Sequence, residues 1–188
     1  DSETLITNNM AEFLLRQMPG SYRPRTVHNC KSAKLTIAVA VDYTTAGERL
    51  TKTVSGARYY ALPFNDANKK SKLDALVSKL LEPTAALFGA QPLTIHFAGN
   101  GIYTLSHHDI NQKMADRRAY TILSYIHKAI PIHKIFSGGQ SGMDEAGIKA
   151  ALRLGISVEV NMPENNKVRF ADGIDVTQTQ LECLARFC

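Results

Sequence analysis

Apolar positions along this chain repeat with two different periods. Leu73, Leu76, Val77, Leu80 and Leu81 fall at three- and four-residue steps with lysines between them, which predicts a helix over 70–81 packed on a sheet. Met114, Tyr120, Ile122, Leu123 and Ile126 predict a second helix over 111–130, closed by Pro131. Residues 144–154 predict a third, stopped by Gly155. The short apolar runs at 34–43, 93–97, 134–136 and 156–160 read as buried strands. Residues 57–62 form a weaker strand ended by Pro63, and 49–54 read as a strand returning from a turn at Ala46 and Gly47. Near the start, Leu5, Ile6, Met10, Phe13, Leu14 and Met18 recur at helical steps. Residues 3–16 therefore read as an amphipathic helix with Ser2 available as its cap, stopped by Pro19 and Gly20. Residues 21–34 are polar and basic and contain Pro24, so they read as a linker.

Strand, helix, strand, helix, strand from Leu93 onward predicts an α/β, Rossmann-like parallel sheet with right-handed crossovers and helices on both faces, preceded by an N-terminal helix and strand extension. The chain divides into an N-terminal helix and linker over 1–33 and a Rossmann-like domain over 34–188. In such sheets ligands sit beyond the carboxyl ends of the strands. Two glycine-rich segments fall at that edge, Gly99, Asn100 and Gly101 after one strand and residues 137–144 after another. Gly138, Gly139 and Gly142 let the backbone approach a ligand, and the helix that follows offers N–H groups to an anion such as phosphate. Gln140 and Ser141 add neutral hydrogen-bonding groups, and Asp144 can cap the helix or hold a ribose hydroxyl. No GK[ST] ends the loop and no GxGxxG spacing is present, so it is neither a P-loop nor a dinucleotide fingerprint.

Composition narrows the class. The 188 residues, 44% hydrophobic and 21% charged, suit one globular domain with an extension. No apolar run approaches the ~20 residues of a membrane span, and no secretory signal pattern opens the chain. Residue 1 is Asp rather than Met, compatible with a piece of a longer chain. A net charge of +5 suits a polyanionic partner, but the basic residues are scattered; Arg16, Arg23, Arg25, Lys31 and Lys34 are the nearest to a cluster. Cys30, Cys183 and Cys188 share no CxxC spacing, so neither a disulfide framework nor a thiolate metal site is expected, and a reducing cytoplasm is the expected location.

The run SGGQSGMDEAGIKAALRLGISV, followed by MPENNKVRFADG, resembles the SGGQTGxD strand-loop-helix pattern and downstream Asp-Gly pair of the molybdenum-carrier proteins. These are members of the SLOG superfamily, with the DNA-processing protein A and LOG proteins. The upstream LTIHFAGNGIY resembles that superfamily's first strand and glycine turn, so the resemblance covers about 93–173. It implies a Rossmann-like fold and a nucleotide-like ligand. By position it implies Gly99, Asn100 and Gly101 in a first loop, Gly138, Gly139, Gln140, Ser141, Gly142 and Asp144 in a second, and Asp172 with Gly173 closing the far side. Ser141 and Met143 stand where Thr and an aliphatic residue are commoner, and Ala171 where Glu usually precedes Asp-Gly. The PGGxGTxxE motif of the LOG enzymes is absent, which argues against their phosphoribohydrolase activity.

The leading expectation is binding of a nucleotide or nucleotide-derived, phosphate-bearing small molecule, as a sensor or carrier. The alternatives are an N-glycosidic bond hydrolase using Asp144, Glu145 or Asp172, a single-stranded nucleic-acid module using Tyr22, Tyr43, Tyr59 and Tyr60, and a carrier of a phosphate-bearing molybdenum pterin. Homo-oligomerisation is compatible with the N-terminal half; no cofactor is specified. His107, His108 and Asp109 lack a regularly spaced third ligand and do not read as a metal site. Arg117 and Arg118 read as a solvated helix face, Glu145 as a charge at a helix N-terminus, and Lys167 and Arg169 as groups of a loop closing over a ligand.

Overall fold

The structure, a computed structural model, describes residues 3–8, 11–20, 22–81 and 92–188. Its strands are β1 (Glu3–Asn8), β2 (Ala11–Gln17), β3 (Leu35–Ala40), β4 (Tyr59–Pro63), β5 (Leu93–Gly99), β6 (Ile132–Ser137) and β7 (Ser157–Met162). They form one sheet in the order β1-β2-β7-β6-β5-β3-β4. Six strands are parallel and β1 runs antiparallel along the edge. A small antiparallel hairpin, β8 (Lys167–Arg169) and β9 (Asp175–Thr177), stands apart.

Helices α1 (Tyr22–Ser32) and α2 (Ala46–Ser55) pack together on one face. The opposite face carries α3 (Lys70–Leu81), α5 (Gln112–Ala129), α6 (Met143–Arg153) and α7 (Gln180–Phe187), and a short α4 (Ile102–Ser106) follows β5. The parallel α/β architecture with helices on both faces is thus as its periodicity predicts, and α3, α5 and α6 begin and end within two residues of their predicted bounds. Ile37, Val39, Ile95, Phe97, Ile135, Val158 and Val160 are buried with Ile122, Ile126, Met143 and Ile148 in the main core. The α1/α2 face is different. Thr36, His96, Phe136 and Glu159 are successive register partners across β3, β5, β6 and β7, so all four point to that face, and three are polar yet buried.

Three local expectations are corrected. Residues 3–16 are not a helix: Asn8 pairs with Ala11, and Phe13 and Leu15 alternate into the core, so the two-residue period wins over the three- and four-residue one. Ser2, the expected cap, lies outside the described residues, as does Pro83 beyond α3. Residues 22–32 are a helix rather than a linker; Pro24 sits in its first turn, where no backbone N–H is needed. Residues 46–55 are a helix rather than a strand, with Thr45 as N-cap accepting from the Glu48 N–H at 3.3 Å. The boundary between residues 33 and 34 falls between α1 and β3, and both β2 before it and β3 after it belong to the same sheet.

No helix of the described residues is long and apolar enough to cross a membrane.

Candidate functional site

A cavity of about 260 Å³ opens at the carboxyl edge of the sheet, on the α1/α2 face. His96, Ala98 and Gly99 of β5 form its floor, Arg25 and Asn29 of α1 one wall, Gly47, Glu48 and Thr51 of α2 another, and the turns at Asn100, Gly101, Gly138 and Gln140 its edge. Tyr22, Tyr103 and Arg169 stand at the mouth, with the tyrosines 49% and 42% exposed. The two glycine-rich turns meet directly: Gly101 and Gly142 form a β-bridge, and the Ile102 and Met143 N–H groups donate across it to the Ser141 and Asn100 carbonyls at 3.2 and 3.1 Å.

Of the residues expected here, Gly99, Asn100, Gly101, Gly138, Gln140 and Asp144 line the cavity. Gly138 needs its missing side chain, since a methyl there stands 2.5 Å from Asp144 Oδ2 and 3.3 Å from Arg25 Cζ. Asn100 is occupied: its Oδ1 accepts from the Val41 and Asp42 N–H groups at 2.8 and 2.9 Å, tying the end of β3 to the end of β5. Gln140 faces the hairpin, its Nε2 donating to the Lys167 carbonyl at 2.7 Å and its Oε1 accepting from the Arg169 N–H at 3.2 Å.

Gly139, Ser141, Gly142 and Asp172 do not line the cavity. Gly139 has φ +69° and turns towards β7, where an added methyl meets Met162 and comes within 2.8 Å of Val160 Cγ1. Ser141 donates to the Arg169 carbonyl. Gly142, at φ +93°, is the N-cap of α6, packed on the Gly101 turn. Asp172 is exposed and accepts from the Ile174 N–H at 2.9 Å, shaping the β8–β9 turn. Glu145 is structural, pairing with Lys149 at 2.6 Å and with Arg186 of α7 at 3.2 Å. Arg118 donates to Asn68 at 2.6 Å away from the site, while His107, His108 and Asp109 border a separate surface depression with Tyr43 and Phe64. Of the four tyrosines, Tyr22 is at the pocket mouth, Tyr43, which donates to the Ala38 carbonyl at 3.1 Å, and Tyr59 lie near Glu48, and Tyr60 lies beneath Lys79.

The α6 N-terminus is not an open anion cradle. The Gly142 N–H donates to Gln112 Oε1 at 2.7 Å, the Met143 N–H to the Asn100 carbonyl and the Glu145 N–H to the Gln140 carbonyl at 2.9 Å. The anion held by the loop is the protein's own Asp144. Burial raises its carboxyl to about 6, against the opposing pull of the Arg25 guanidinium and the backbone N–H groups of Gln140 and Gly138.

Four residues that shape the site escape the sequence pattern. Arg25, 3% exposed, donates to the Gly138 carbonyl and stacks on Tyr22 at 4.1 Å. Asn29 accepts from Asn161 at 2.8 Å. His96 is held neutral by burial, its pKa pushed down to about 3. Glu48 is 4% exposed, and burial raises its carboxyl to about 7, with Asp144 pushing in the same direction and Tyr59 opposing. For the three on helices the signal is polar residues at helical spacing (Arg25 with Asn29, Glu48 with Thr51), visible only once α1 and α2 are known to be helices; His96 is a polar residue in the apolar run of β5.

The chain matches no family model, no curated protein and no solved structure.

Proposed function

We propose that this pocket binds a nucleotide or a nucleotide-derived, phosphate-bearing small molecule, and that the chain acts in the cytoplasm as a sensor or carrier. The observation that carries the reading is the convergence of both glycine-rich turns, through the Gly101–Gly142 bridge, on one cavity at the carboxyl edge of a parallel sheet. The resemblance of residues 93–173 to the SLOG superfamily supports the same ligand class. Because Asp144 occupies the second loop, the phosphate belongs at the mouth, where Arg169 is half exposed.

The test is thermal stabilisation by AMP, ADP-ribose, NAD, cyclic nucleotides and a short oligonucleotide, in the wild type and in Gly47→Trp. Gly47 lines the pocket and a methyl there meets nothing within 4 Å, so the backbone accepts a side chain at this position, and the variant's own unfolding midpoint is the control for its fold. A ligand at a hundred times its Kd stabilises by about 2.7 kcal/mol. We expect one nucleotide class to stabilise the wild type and not the variant; an equal response of both proteins, or of neither, sinks the reading.

A second reading has its own observation. Two carboxyls with raised pKa, Asp144 at about 6 and Glu48 at about 7, line one pocket, and a carboxylic acid still protonated near neutrality suits general-acid cleavage of an N-glycosidic bond. Release of free adenine from AMP by the wild type but not by Asp144→Asn supports it.

A further inference from the structure

Two helices of this protein begin with the same capping sequence. Thr179-Gln-Leu-Glu182 opens α7, and Thr45-Ala-Gly-Glu48 opens α2. In α7 the box is closed in both directions: the Glu182 N–H donates to Thr179 Oγ1 at 3.2 Å, and Glu182 Oε2 accepts from the Thr179 N–H at 2.7 Å. In α2 only half forms. Thr45 Oγ1 accepts from the Glu48 N–H, while the Glu48 carboxyl turns away from its cap and lines the cavity.

There it is buried, and its Oε2 has no hydrogen-bond partner among the described residues. The nearby Tyr59 hydroxyl favours the ionised form but likewise closes no hydrogen bond. Leaving a carboxyl oxygen desolvated and unpaired is costly, and a capping partner lay within reach. The geometry therefore assigns Glu48 a partner that arrives with the ligand.

Both oxygens of the ionised carboxylate accept and the protonated carboxyl keeps one acceptor oxygen, so a donor satisfies Glu48 in either state. The acidic neighbours of Glu48 are Asp144 and Asp42, so its end of the pocket repels phosphate. Of the two guanidiniums lining the pocket, Arg25 is engaged by the Gly138 carbonyl and Tyr22, and Arg169 stands at the mouth, paired with Asp175. A nucleotide carries no cationic donor, so the donor it brings to Glu48 is a hydroxyl or an amino group, at the end opposite its phosphate at Arg169. We infer that Glu48 takes the 2′,3′-diol of a ribosyl group, whose two vicinal hydroxyls match the two oxygens of one carboxylate, and that the pocket selects ribonucleotides over 2′-deoxyribonucleotides. The inference rests on the proposal that the pocket binds a nucleotide.

The experiment is isothermal titration of wild type and Glu48→Gln with AMP, 2′-dAMP and IMP, with thermal unfolding as the control for folding. Wild type is expected to bind AMP at least about tenfold more tightly than 2′-dAMP, the scale of one hydrogen bond to a charged group. Glu48→Gln is expected to bring that ratio close to one, with AMP losing more affinity than 2′-dAMP. Equal wild-type affinities for AMP and 2′-dAMP, or a ratio preserved in Glu48→Gln, overturn the inference alone. A variant that alters the AMP-to-IMP ratio and leaves the ribose preference intact assigns Glu48 to the base and overturns it too. If neither AMP nor 2′-dAMP nor IMP binds the wild type, the nucleotide reading itself falls.

Discussion

Arg25 of α1 donates to the carbonyl of Gly138 at the end of β6, 113 positions later in the chain. The contact joins the helix of one sheet face to the second glycine-rich loop and sets a buried guanidinium beside Asp144. Removing the cation leaves Asp144 without its main compensating charge. Arg25→Gln is therefore expected to destabilise the protein by about 1–3 kcal/mol, the cost of losing a charged hydrogen bond and a compensating charge in the interior, and Arg25→Gln with Asp144→Asn by clearly less. Urea unfolding of the two variants checks this; equal losses contradict it.

Glu48 titrates in the fold at about 7 against an ordinary 4.5, so its contribution to stability is fully present below pH ~4.5 and is lost as pH rises through 7. The groups facing it are Asp144 of α6, Asp42 after β3, Tyr43 and Tyr59; no cation is among the influences on it. Glu48→Gln is thus expected to gain on the wild type as pH rises from 5 to 8, reaching on the order of 2 kcal/mol. His96, with its pKa lowered to about 3, acts in the opposite sense: its contribution is present above pH ~6.5 and lost as pH falls towards 3. It is common to both proteins and cancels in the difference. A pH-independent difference in unfolding free energy contradicts the buried, unpaired carboxyl.

The glycines divide by position. Gly47, in the first turn of α2 with open space around it, is expected to accept alanine with a gain of up to about 1 kcal/mol. Gly139→Ala meets both a positive φ and the side chains of Met162 and Val160, and a loss of about 1–3 kcal/mol is expected. Unfolding midpoints of the two alanine variants moving in the same direction contradict this assignment.

Arg169 is held bidentate by Asp175, at 2.7 and 3.2 Å, on a hairpin fastened to the second loop by Gln140 and Ser141. If it receives the ligand's phosphate, Arg169→Ala is expected to weaken AMP binding about tenfold and adenosine binding hardly at all. Parallel titrations decide it, and equal losses for both ligands place the phosphate elsewhere.

What the sequence revealed follows from which residues each helix buries. α5 and α6 bury Ala119, Ile122, Leu123, Ile126, Ala146 and Ile148 against an apolar sheet face, so their periodicity reads directly. α1 buries Arg25 and Asn29, and α2 buries Glu48, Thr51 and Ser55. Their inward faces are polar because they line the cavity and the polar sheet face, and a method that seeks apolar stripes reads such helices as linker or strand. The residues that hid the helices are the ones that build the site. The glycine loops were legible because a positive φ favours Gly at 139 and 142 and the Asp144 side chain crowds 138, yet the same pattern could not say which of them faces a ligand.

The most direct test of the account is a ¹H–¹⁵N correlation spectrum of the wild type titrated with AMP and with ADP-ribose. The account predicts shifts concentrated in the amides of Gly47, Glu48, Gly99, Gly101, Gly138 and Arg169. Shifts confined to the groove lined by Phe13, Tyr120, Arg153 and Phe187 on the opposite side, or no shifts with either ligand, contradict it.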